Sequence, residues 1–182
     1  MAKSHVDEVT KAEVLWALKV VEDDSSFASF DDMQCLFRSM FPDSKIAQEY
    51  RCGTTKVRYL VTYGLAPYFE ELLLKDIKTS QYGYTLHYDE TKTSQTKKQM
   101  DLVIRYWSTD RKRVVVHYFG SIFFGHVQAL TVSSSLLDYI SNKSLPLNML
   151  LSLSSDGPNV NRAIEAQMNK LLPNASYRRW FT

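Results

Sequence analysis

The sequence predicts an α+β protein, with an all-α region over residues 1–80 and a strand-rich unit over 81–173 that ends in a short tail, 174–182. Two observations carry this. Apolar residues recur at helical spacing up to about residue 80 and then alternate, which is the period of a half-buried strand. After Gly125 the helical period returns, is broken once by a dense apolar run at 147–155, and returns again. The second unit therefore reads strand, strand, strand, helix, strand, helix (β-β-β-α-β-α).

Each element has its own signal. Thr10–Val21 places Val14, Leu15, Leu18 and Val21 on one stripe, with Thr10 and Glu13 at capping-box spacing. Asp31–Met40 turns Met33, Leu36, Phe37 and Met40 inward, and a short third helix carries Ile46 and Tyr50. A fourth starts at Gly53-Thr54-Thr55 and is expected to end at Gly64 and Pro67, before a last helix over Tyr68–Lys78. In the first strand Tyr82, Tyr84, Leu86 and Tyr88 face one way, while Thr85, His87 and Asp89 face the other. The second strand alternates Met100, Leu102, Ile104 and Tyr106 with Asp101, Val103, Arg105 and Trp107. The turn Ser108–Lys112 leads to a third strand, Arg113–Phe119, which completes an antiparallel meander. A helix with Val127, Leu130, Leu136, Leu137 and Ile140 follows, then a buried strand over Leu147–Ser155. The last helix carries Val160, Ile164, Met168 and Leu171.

Composition narrows the classes. Among 182 residues, 45% are hydrophobic and 13% aromatic, enough for a sizeable core and too much for disorder throughout. A net charge of +2 is too small to argue nucleic-acid binding from charge alone. Cys35 and Cys52 with His5, His87, His117 and His126 lack the short, regular spacing of a zinc site, so no zinc is expected. Without a disulfide framework the chain fits a reducing compartment, nucleus or cytosol. No apolar run reaches the roughly 18–20 residues of a membrane span, and Asp7 and Glu8 make the start unlike a secretory signal. The expectation is a soluble intracellular protein with no membrane partner.

The order of elements has a chemical consequence. A fourth strand reached by a right-handed crossover can pair parallel to the first, setting their carboxyl ends roughly 5 Å apart. Asp89 is read as ending strand one and Asp156 as ending strand four. Two carboxylates so close repel unless a cation lies between them, and hard oxygen ligands suit Mg²⁺ or Mn²⁺ in phosphodiester chemistry. The plainer reading stands beside it: Asp at a strand end starts turns, and Asp156 before Gly157-Pro158 has the pattern of a helix N-cap.

Tyr84–Thr91 (YTLHYDET), Lys98–Trp107 (KQMDLVIRYW) and Leu151–Asn161 (LSLSSDGPNVN) resemble three segments of hAT-superfamily DNA transposases: the first-acid strand, the second strand and the second-acid strand. TKAEVLWALKV and FPDSKIAQEY…GTTKVRYLVTYGLAPYF upstream are similar to the helical region before that family's catalytic core. The likeness covers residues 10–172, and the order of its motifs is more specific than any one of them. It implies an incomplete ribonuclease-H-like α/β core, with Asp89 and Asp156 as its first and second catalytic, metal-binding acids. It also implies a third acid, a glutamate, after a large helical insertion that this chain, stopping at Thr182, does not reach. No BED-type zinc finger is visible at the start, and Asn159 and Asn161 are offset from the family's spacing.

The expectation is thus a truncated or domesticated transposase with a vestigial or incomplete Asp89/Asp156 site and no strand-transfer activity. It would act in the nucleus on DNA, or on a protein partner or second copy through an exposed sheet edge. The alternative is a fragment of an active metal-dependent enzyme. Glu165, about 13 Å along a helix from Asp156, Glu90, on the opposite strand face, and Asp101, expected at the far end of the sheet, are read as solvated or turn residues. His87 is read first as a core or hydrogen-bonded histidine and second as a contact to a substrate phosphate. Lys97-Lys98, Arg111-Lys112-Arg113 and Arg178-Arg179 are read first as solvated charge and second as phosphate contacts. The tyrosine stripe is read as packing beneath a helix rather than stacking on bases.

Overall fold

A computed structural model describes residues 4–92, 98–124 and 129–155, together with Ala166 and Lys170, both helical. The chain forms two compact units, Met1–Leu72 and Leu73–Thr182. The helix expected over 158–172, the 174–182 tail, Val127, Lys97 and Glu165 lie outside the described residues, Ala166 and Lys170 apart.

In the first unit α1 runs His5–Glu22, five residues earlier than its expected start. Its capping box is Ser4 with Asp7, where the Asp7 amide donates to Ser4 Oγ and the Ser4 amide to Asp7 Oδ2. Thr10 instead lies inside the helix, its hydroxyl donating to the Val6 carbonyl. The buried face is also rotated from the expected stripe: Glu13, Ala17 and Val20 are buried, while Leu15 and Val21 are exposed. Glu13 belongs inside because its carboxylate has partners there, accepting from the Arg51 amide at 3.1 Å and Lys56 Nζ at 2.5 Å.

A 3-10 turn at Phe27–Phe30 precedes α2 (Met33–Met40), of which Phe37 packs edge-on against Trp16 and Tyr50. Leu36 and Met40, expected inside, are exposed. Helix α3 (Lys45–Glu49) is capped by Ser44. At α4 (Thr54–Leu60) Gly53 brings no capping side chain; Asp31 supplies the carboxylate, accepting from the Thr54 amide at 2.8 Å and hydroxyl at 2.6 Å.

Gly64 and Pro67 do not end this helix. A π turn at Val61–Leu65 leads into α5 (Ala66–Thr79), and Pro67 sits in the turn that follows it. The wider i→i+5 spacing absorbs the amide that proline cannot donate.

The second unit is built on a four-stranded mixed sheet of order β3-β2-β1-β4, from β1 (Tyr84–Lys92), β2 (Lys98–Ser108), β3 (Arg113–Phe124) and β4 (Leu150–Ser154). The meander is antiparallel and β4 is parallel to β1. Helix α6 (Ala129–Asn142) makes the crossover, and Pro146 starts a 3-10 turn that delays β4 to Leu150. The core is the even face of β1 and β2 (Tyr84, Leu86, Tyr88, Met100, Leu102, Ile104, Tyr106), packed with Val132, Leu136 and Ile140 of α6 and with Ile77.

Tyr82 does not join that stripe. Gly83, at φ +74°, interrupts the alternation, and Tyr82 is 64% exposed. A β-bulge lengthens β3 beyond its expected end: Leu102 pairs with Gly120 and Val103 with Tyr118, leaving Phe119 extra. Gly120 has φ +149°, and a Cβ there would overlap the Tyr139 hydroxyl, which donates to the Phe119 carbonyl at 3.0 Å. No helix among the described residues is long and apolar enough to cross a membrane.

Candidate functional site

Asp89 is exposed on the face of the sheet away from the core. It does not end β1, which continues to Lys92 because β2 still pairs with it there. Against β4, however, the pairing stops at His87↔Ser154, so each expected acid follows the last paired residue of its strand by two positions. Asp156 lies outside the described residues.

Asp101 corrects a second expectation. An antiparallel strand begins where its predecessor ends, so the start of β2 lies beside the end of β1 and not at the far end of the sheet. Asp101 is the direct partner of Asp89, on the same face. It is half-buried and already engaged: the Ser121 hydroxyl donates to its Oδ1, and Gln99 Nε2 donates to the same oxygen at 2.7 Å. Ser121 in turn meets the Tyr118 hydroxyl at 2.6 Å. Without the bulge, residues 118 and 121 would fall on opposite faces. The Gly120 kink therefore assembles this cluster beside Asp89. Hard oxygen donors of this type suit Mg²⁺ or Mn²⁺, but of the two facing carboxylates only Asp89 is free of the cluster's hydrogen bonds.

Along the same face toward the other end of β1 lies a groove of about 750 Å³. Thr85, His87, Arg105, Ser152 and Ser154 form its polar lining, and Tyr82, Trp107, Val114 and Leu151 its apolar rim. Of the core or hydrogen-bonded histidine expected, His87 is the second and not the first: it lies on the exposed face, its Nδ1 and Ser154 Oγ 2.5 Å apart. Burial, and then the nearby Arg105 guanidinium, hold its pKa below the ordinary 6.5. A serine on an imidazole is the first half of a nucleophilic pair, yet among the described residues no carboxylate orients the other ring nitrogen. Thr85 Oγ1 is buried and, among the described residues, has no hydrogen-bond partner.

Arg111, Lys112 and Arg113 are exposed around the β2–β3 turn, adjoining the Trp107↔Val114 end of the groove. The residues missed by reading the sequence were Arg105, Trp107, Ser152 and Ser154. The first two were legible, since alternation already placed them on the His87 face. The serines needed the β1–β4 register. No protein-family model matches the chain, and no curated protein matches it.

Proposed function

We propose that this chain is a domesticated hAT-like transposase derivative, a ribonuclease-H-like nuclear module that binds DNA or a protein partner without strand-transfer activity. The observation that carries the reading is the sheet order β3-β2-β1-β4 with β4 parallel to β1. It matches the arrangement that the resemblance implies, and Asp89 and Asp156 each follow the last β1–β4 pair by two residues. Beside Asp89 the Asp101 carboxylate accepts hydrogen bonds from Gln99 and Ser121 through Oδ1.

The alternative is a metal-dependent nuclease or transposase core, in which Asp89 and Asp156 hold Mg²⁺ or Mn²⁺. The ion would supply activation of a water or hydroxyl at a phosphodiester. A Mn²⁺ titration read by thermal unfolding separates the two. A site filled to a hundred times its dissociation constant adds about 2.7 kcal/mol of stability. The proposed module gains no Mn²⁺-dependent stability that Asp89→Asn/Asp156→Asn removes. A gain that the double variant loses supports the alternative.

A further inference from the structure

We infer that the groove between β1, β2 and β4 is a binding site for a nucleoside monophosphate unit, free or at the end of a single DNA strand. The inference does not depend on the ancestry of the fold. Its volume of about 750 Å³ lies within the range of small-molecule sites and exceeds what a water cluster or a lone ion needs.

The lining names the ligand's charge. Arg105 supplies the groove's positive charge, with the neutral His87 imidazole beside it, and among the described residues no carboxylate lines it, so an anion is favoured. Ser154 Oγ, 2.5 Å from His87 Nδ1, adds a hydroxyl to the same lining. Thr85, paired with Arg105 across the strands, lines the same wall, and among the described residues its hydroxyl has no partner.

The rim names the rest of the ligand. Tyr82 and Trp107 stand edge to face at the mouth, ring centroids 5.9 Å apart at 76°. Tyr82 is held out of the core by the positive φ of Gly83, so its ring is free to pack on something else. A planar base stacks on either ring while its phosphate reaches Arg105. A lone phosphate would leave the rim unused.

The test is a fluorescence titration of the full chain, without divalent metal, using dAMP, a hexamer of thymidylate, deoxyadenosine and inorganic phosphate. Variants are Arg105→Gln and Trp107→Leu, with Arg105→Lys and Trp107→Phe as conservative partners, each checked for an unchanged urea midpoint. The expected result is binding of dAMP or the hexamer, weakened about tenfold or more by Arg105→Gln and by Trp107→Leu and partly restored by the conservative changes. The tighter of the two ligands then names the source of the nucleotide. No binding of either, equal binding by inorganic phosphate alone, or binding unchanged in folded variants overturns the inference.

Discussion

Replacing Gly120 with alanine tests the device that shapes the functional face. Two costs follow from the structure. At φ +149° an L side chain is strained, by about 1–3 kcal/mol at sparsely populated backbone angles. The added methyl also overlaps the Tyr139 hydroxyl, so that ring must shift and release its bond to the Phe119 carbonyl, worth about 0.5–1.5 kcal/mol. Together the loss is about 2–4 kcal/mol, a large share of the 5–15 kcal/mol typical of a domain. Urea unfolding followed by far-UV circular dichroism measures it. Tyr139→Phe alone should cost about 1 kcal/mol, the hydrogen bond without the clash. The two changes should sum to less than their separate effects, because they share one contact. A Gly120→Ala chain within about 0.5 kcal/mol of the natural one would refute the argument that the bulge requires glycine and that α6 is seated on it.

Three further outcomes follow. Glu13→Ala should destabilise the helical unit by about 2–3 kcal/mol, since it removes two hydrogen bonds to a buried carboxylate while Lys56 retains access to water. A loss under about 0.5 kcal/mol in urea unfolding would contradict that assignment. His87 and His117 are both held below 6.5, by burial first and then by Arg105 and Arg111 respectively. The unfolded chain therefore takes up protons before the folded one, and stability should fall as pH drops from about 7 to about 5. The His87→Gln/His117→Gln chain should show a flatter profile over that window; an equal slope would place the dependence elsewhere. Asp31 is held below the ordinary carboxylate range by its bonds to Thr54. Its stabilisation is present at neutral pH and lost as the carboxylate protonates in acid, so Asp31→Ala should lower the neutral-pH midpoint and leave the most acidic one unchanged.

Much of the strand-rich unit was legible because alternation is a strict code. Tyr84, Leu86 and Tyr88 faced the core as read, and so did Met100, Leu102, Ile104 and Tyr106, since a half-buried strand has only two faces to choose from. The crossover to a strand parallel with β1 was legible from handedness and element order. What failed was local punctuation. Thr10 and Glu13 have capping-box spacing, but Ser4 and Asp7 offered the same chemistry earlier, and burial of Glu13 was decided by Lys56 and the Arg51 amide, distant in sequence. Pro67 reads as a helix end until a π turn accommodates it. The site was half legible: Asp89 lay on the exposed face expected. The cross-strand placing of Asp101 required following the hairpin's direction, and the groove serines required a register that no single segment contains.

The central claim, a transposase-derived module that engages DNA without cutting it, is tested most directly by one measurement. The full chain is mixed with a labelled DNA duplex and Mn²⁺, and anisotropy and strand integrity are read from the same sample. The expected result is a rise in anisotropy that weakens steeply as salt is raised, as phosphate contacts do, with the duplex left intact. Nicking that Asp89→Asn abolishes would contradict the non-catalytic reading, and no rise at low salt would contradict DNA binding itself.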